Sequence, residues 1–137
     1  GPNLNLLGSR EPEVYGQLTL AELVTMLDAH AARAGVRLVH VQSNLEGALV
    51  QAVQDAKAQG AEALIVNGAG YSHTSVALRD ALIAAALPFV EVHLSNVYAR
   101  EPFRHRSMLA DQAVGVIAGF GAMSYSLALD ALLARHA

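Results

Sequence analysis

The 137-residue sequence contains no cysteine. Disulfides and thiolate metal sites are thereby excluded, and the composition fits a reducing cytoplasm, the expected location. Charge is also sparse: 15% of residues are charged, 9 basic against 12 acidic, with no block of one sign. Surfaces that track phosphates need clustered cations, so no nucleic acid is expected as a partner. The longest apolar runs, residues 81–90 and 113–123, fall short of the ~18 residues that argue for a membrane span, so no membrane association is expected and the protein should be soluble. No signal peptide is visible. Lysine occurs once, as Lys57 in the helical run Gln54 to Gln59, where it reads as a solvated surface charge.

Against these absences stands an apolar excess, with 53% hydrophobic residues and a mean hydropathy of +0.33. A chain of this length is expected to form one domain, residues 1–137, that buries roughly two thirds of its unfolded surface. A small domain this apolar is expected to cover part of its surface in a homo-oligomer.

The opening stretch, GPNLNLLGSREPEVYG, fits neither the helical nor the strand period. It reads as a loop whose charged centre, Ser9 to Glu13, lies between Gly8 and Gly16 and which carries Tyr15. Two readings stand side by side, a hinged lid and a frayed terminus. From Thr19 the pattern changes. Thr19 to Glu22 forms a capping box, and Leu20, Leu23, Val24, Leu27 and Ala31 follow at helical spacing until Gly35. Val36 to Gln42 reads as a strand, and Ser43 to Glu46 as a second capping box opening a helix that stops at Gly60. Ala63 to Val66 reads as a strand covered on both faces. Then come a helix over Ser75 to Ala86, a strand over Phe89 to Leu94, an irregular stretch from Ser95 to Arg106, a strand over Val114 to Ala118 and a helix over Ser124 to Arg135. Such alternation predicts a doubly wound α/β domain with a parallel sheet. It begins on a loop and a helix, so a first strand is expected before Gly1, outside the given sequence.

In open α/β sheets ligands bind beyond the carboxyl ends of the strands. Three stretches there carry polar groups. Asn67-Gly-Ala-Gly-Tyr-Ser-His73 permits close backbone approach and leads into a helix start suited to an anion, although Gly68 and Gly70 read equally well as turn formers. It is neither a Walker loop nor a dinucleotide fingerprint. Glu91 and His93, two apart on a strand, share a face. A carboxylate there favours the charged imidazole and makes the histidine a proton donor near neutrality; a self-satisfied structural pair is the alternative. In the opening stretch, a guanidinium such as Arg10 favours the phenolate of a tyrosine that ordinarily ionises near pH 10, which makes Tyr15 a candidate base.

Taken together, GPNLNLLGSREPEVYG, NGAGYSHTSVALRDAL and EVHLSNVYAREPFRHRS resemble the three signature stretches of the type II 3-dehydroquinate dehydratases, or type II dehydroquinases, in the same order and over essentially the whole chain. The resemblance implies a flavodoxin-like fold and a cofactor-free lyase that converts 3-dehydroquinate to 3-dehydroshikimate through an enolate, in the shikimate pathway of aromatic amino acid biosynthesis or in quinate breakdown. It implies that Tyr15 takes the C2 proton with Arg10 holding the phenolate charge, that Asn3 helps to stabilise the enolate, and that His93, oriented by Glu91, protonates the departing C1 hydroxyl. Asn67, Ser95 and the backbone N–H groups of Leu94 and Ser95 would hold the substrate carboxylate. His73 and Arg104 would hold ring hydroxyls, and Asp80 would reach a neighbouring subunit of a dodecamer built from trimers. No metal is implied. The sequence departs from the family pattern at Gly68, where proline is common, and at Tyr98, where histidine is frequent. The unrelated type I dehydroquinases work through a lysine Schiff base, a role that does not suit Lys57.

Two other classes of function share these residues. A phosphate or nucleotide binder would use Gly68, Gly70 and the next helix start without needing Tyr15. A metal hydrolase would use His73, Asp80, Glu91 and His93, which carry suitable donor atoms, but no HxxxH or HExxH spacing supports it.

Overall fold

The computed structural model describes residues 1–136. Five α-helices occur among them: α1 (Pro12–Tyr15), α2 (Leu20–Arg33), α3 (Glu46–Ala58), α4 (Val76–Ala85) and α5 (Met123–His136). Three parallel strands, β1 (Leu64–Val66), β2 (Phe89–His93) and β3 (Gly115–Ala118), form one sheet in that spatial order. Leu64 stands opposite Phe89 in the first ladder, and His93 opposite Ala118 in the second.

The helix boundaries follow from local chemistry. The Thr19 hydroxyl accepts from the Glu22 N–H at 3.2 Å and donates to its carboxylate at 2.9 Å, which starts α2. Ser75 starts α4 by accepting from the Leu78 N–H at 2.8 Å. Helix α3 ends in a Schellman motif, in which Gly60 takes φ +85° while its N–H and that of Ala61 satisfy the carbonyls of Lys57 and Ala56. The expected capping box at Ser43 does not form. The first helical residue is Glu46, and the Ser43 hydroxyl accepts from the Leu45 N–H, closing a turn before the helix instead.

Strand β2 is buried along its whole length and divides the core by alternation. Phe89 packs with Leu49, Val53, Leu78, Leu82 and Leu109 on the side of α3 and α4. Val90 and Val92 pack with Ala128 of α5 on the opposite side. Glu91 and His93 therefore share the Phe89 face. A third cluster unites Leu23 and Leu27 of α2 with Leu4, Leu7 and Leu94.

Two expectations need correction. Residues 36–42 belong to no strand, and Val39 and Val41 are 71% and 59% exposed. The end of this segment and the end of β1 are bridged by Gly1: its nitrogen donates to the Asn67 carbonyl at 2.9 Å, and Gln42 Nε2 donates to its carbonyl at 3.1 Å. The Gly1 backbone lies between the two, and they form no ladder with each other. Coverage of the sheet is also incomplete, since β1 is half-buried and Val116 of β3 is exposed.

Phe89 joins both helices of one layer to the central strand. Its replacement by Ala is expected to cost about 3–5 kcal/mol, measured as a lower urea midpoint with an unchanged slope.

Candidate active site

The carboxyl ends of β1 and β2 open on the same edge of the sheet. Strand β2 ends on the buried pair Glu91 and His93, whose Oε2 and Nε2 atoms lie 2.6 Å apart. His73, from the 3-10 turn Ala69–His73, stacks on His93 with ring centroids 5.9 Å apart and planes inclined by 17°. The Nδ1 of His73 lies 2.7 Å from the Arg106 carbonyl. A carbonyl only accepts, so Nδ1 carries the proton and Nε2 is left for another partner.

At the end of β1, Asn67 Oδ1 accepts from the Ala69 N–H at 2.9 Å, and Nδ2 donates to the Tyr125 hydroxyl at 2.8 Å. One N–H of the amide remains for a ligand. Ala69 has φ +50°, and Gly68, at φ −73°, sits where a Cβ would come within 2.6 Å of the Ser72 Oγ and 3.1 Å of the Ser72 nitrogen. A Cβ at 68 would press on Ser72, although the backbone there, at φ −73°, is open to any residue, proline included.

The opening stretch is more ordered than its period predicts. A 3-10 turn spans Leu4–Leu6, and α1 supplies one helical turn, begun by Pro12 and closed by Gly16. Leu4 and Leu7 are 7% and 8% exposed, and they pack with Leu94 at the end of β2. This anchoring carries Tyr15 to the sheet edge. The guanidinium of Arg10 lies 4.6 Å from the Tyr15 ring centroid and that of Arg100 5.3 Å away. Both cations sit over the ring. Arg100 Nη1 also donates to the Ser95 hydroxyl at 3.2 Å, so the hydroxyl proton stays available. Beside them lies a cleft of about 530 Å³ lined by Tyr15, Leu94, Ser95, Arg100 and the Gly119–Ala122 turn.

The structure thus gathers part of the expected set into two adjoining groups joined through Leu94 and Ser95. Tyr15, with Arg10 over its ring, lies at the cleft, and half-buried His73 stacks on His93 of the buried Glu91–His93 pair. Asn67 stands at the neighbouring strand end. Asn3 is exposed, in the left-handed region at φ +68°, with its N–H held by Asn44 Oδ1 at 2.9 Å. Arg104 is tied to Glu101 at 2.8 Å. Asp80 is exposed on α4 and touches none of these groups within the chain. Three further residues emerge from the structure. Arg100 is one of several arginines in YAREPFRHRS, and nothing in the sequence singles it out as the one that reaches Tyr15. Tyr125 lies on a helix far along the chain. Ser107 closes the third signature stretch and donates to Glu91 Oε1 at 2.6 Å. Among the described residues no group of three or more His, Asp or Glu side chains is arranged to hold a metal ion.

A three-layered α/β domain with polar groups converging at the carboxyl edge of a parallel sheet defines a flavodoxin-like protein with a small-molecule site. The class II dehydroquinase family model matches residues 1–133. The 3-dehydroquinate dehydratase 1 of Ralstonia nicotianae is 60% identical, with 99% of this chain and 87% of that protein aligned. The 3-dehydroquinate dehydratase of Marinobacter nauticus is 56% identical, with 98% and 92% aligned. Among solved structures, the type II dehydroquinase of Butyrivibrio crossotus matches with a TM-score of 0.94 at 38% identity, and that of Propionibacterium acnes with 0.93 at 36%; each match covers 98% of this chain and 92% of the other. The chain belongs to the type II dehydroquinase family.

Replacing Gly68 by Ala should destabilise the protein by about 1–3 kcal/mol through overpacking against Ser72, read from thermal unfolding. A second expectation concerns Tyr125. Burial pushes its phenol up to about 12, partly offset by the hydrogen bond from Asn67. A folded value above the unfolded one, near 10, means that this contribution to stability is complete below pH 10 and disappears as the pH rises towards 12. Ultraviolet titration of the phenolate, beside urea unfolding over the same range, measures both.

Proposed function

We propose that the chain acts as a 3-dehydroquinate dehydratase, the lyase that forms 3-dehydroshikimate in the shikimate pathway, with residues 1–137 working as one catalytic domain. Membership of the family and the names of relatives at 55–60% identity support the reaction. The observation that carries the site is the Tyr15 ring held against two guanidinium groups at the mouth of a cleft.

Positive charge over the ring stabilises a phenolate. In this reading Tyr15 removes a proton from C2, beside the C3 ketone, with Arg10 and Arg100 balancing the charge. The electrons pass to the ketone oxygen as an enolate, which Asn3 helps to stabilise. The enolate then collapses, the C1–O bond breaks, and His93, held by Glu91, gives its proton so that water departs. The free amide hydrogen of Asn67, the Ser95 hydroxyl and the N–H groups of Leu94 and Ser95 are the proposed donors to the substrate carboxylate, with His73 and Arg104 for the ring hydroxyls. No cofactor enters this sequence of bond changes.

The oligomer belongs to the same reading: a dodecamer built from trimers, working in the cytoplasm. Val76, Asp80 and Ile83 follow at i, i+4 and i+7 on α4, and the two apolar members are 53% and 47% exposed. An apolar stripe carrying one carboxylate suits a face that delivers Asp80 to a neighbouring site.

Replacing Tyr15 by Phe, or Arg10 by Ala, should leave fold and assembly intact and lower turnover by about 10²–10⁴-fold, followed by ultraviolet absorbance of the conjugated enone. Unchanged turnover would remove Tyr15 from the role of base. Substituting His93 should suppress dehydration more than exchange of the C2 proton with solvent, and equal suppression would count against His93 as the acid.

A further inference from the structure

Glu91 is 1% exposed, and both of its carboxylate oxygens are engaged. Oε2 faces His93 Nε2, and Oε1 accepts from the Ser107 hydroxyl at 2.6 Å. A hydroxyl has one proton and two lone pairs. Two backbone donors point at the Ser107 oxygen, the N–H of Leu109 at 3.0 Å and that of Ala110 at 3.1 Å. With both lone pairs occupied, the single proton is directed at Glu91, and Oε1 is obliged to accept.

The segment carrying Ser107 is fixed on several sides. The next residue, Met108, donates its N–H to the Ser72 carbonyl at 2.7 Å and accepts from Arg79 Nη1 at 2.9 Å. The Arg79 guanidinium also pairs with the Asp111 carboxylate, and Leu109 is fully buried against the core. The Ser107 oxygen therefore has little freedom to turn away.

We infer that Ser107 is a positioning residue for the proton donor. It holds Glu91 as a carboxylate acceptor, so that one proton of His93 stays on Nε2 and, in the imidazolium form that acts as the acid, the second proton, on Nδ1, is the one given to the departing hydroxyl. The catalytic part of this inference rests on the role of His93 in the proposed dehydration. The tautomer itself does not, because it is a property of the free protein.

The test combines two substitutions with a readout of the imidazole. Ser107→Ala loses both the cap and the donated hydrogen bond, and Ser107→Thr keeps both. Long-range proton–nitrogen NMR of histidine-labelled protein, with the His93 signals assigned from a His93→Gln variant, is expected to show the Nε2–H tautomer for the neutral ring in the native chain and in Ser107→Thr. In Ser107→Ala that tautomer should lose its dominance, and dehydration should slow by about 10–100-fold with little change in KM. A purely structural cap predicts instead that Ser107→Ala lowers the thermal midpoint while the His93 tautomer of the folded protein stays native. An unaltered His93 tautomer in folded Ser107→Ala, or native turnover in that variant, would overturn the inference. Should His93 prove dispensable for dehydration while the tautomer still responds to Ser107, the fault would lie with the proposed acid and not with the positioning role.

Discussion

The arrangement depends on a carboxylate buried in the middle of a sheet. Glu91 occupies a strand position that its neighbours Val90 and Val92 fill with apolar side chains, and it is as deeply enclosed as they are. An ionised group at such depth is tolerable only when its oxygens are satisfied. His93 and Ser107 do this from two different parts of the chain, one on the same strand and the other from a segment that follows two 3-10 turns. Satisfying the charge thus fixes the path of residues 94–107 relative to the sheet, and with it Ser95 and Arg100. The polar centre organises the cleft because it would be costly in any other arrangement.

A second constraint acts from the opposite side. The opening segment contributes little regular structure, yet Leu4 and Leu7 bury themselves against Leu94 and fasten it to the end of β2. Asn3, Glu11 and Ala69 adopt left-handed backbone conformations unusual for non-glycine residues, and all three lie in segments that border the site. Such conformations persist where the surroundings over-determine them. Here the apolar anchors and the hydrogen bonds of Asn44 and Asn67 supply that determination.

Much of this was legible in the sequence, for identifiable reasons. The helices declared themselves through period and caps, as at Thr19 and Ser75, and the alternation of elements implied the parallel sheet. The shared face of Glu91 and His93 followed from strand geometry alone. Other features lay beyond local reading. The order in residues 1–16 comes from tertiary packing of Leu4 and Leu7, which no periodicity expresses. Residues 36–42 have strand composition, but a strand requires a partner, and partnership is a property of the whole sheet. Ser43 looked like a cap and closed a different turn. Arg100 and Ser107 are ordinary residues in a polar stretch until the chain path brings one to Tyr15 and the other to Glu91. The resemblance to a family pointed to these residues, whereas the hydrogen bonds among them had to be seen in three dimensions.

Gly1 has a mechanical consequence. Its nitrogen is held by the Asn67 carbonyl and its own carbonyl by Gln42 Nε2, so the opening stretch is tied at once to the end of β1 and to a segment some forty residues further along the chain. A change at Gln42, remote in sequence from Tyr15, would therefore be felt in the segment that carries that ring.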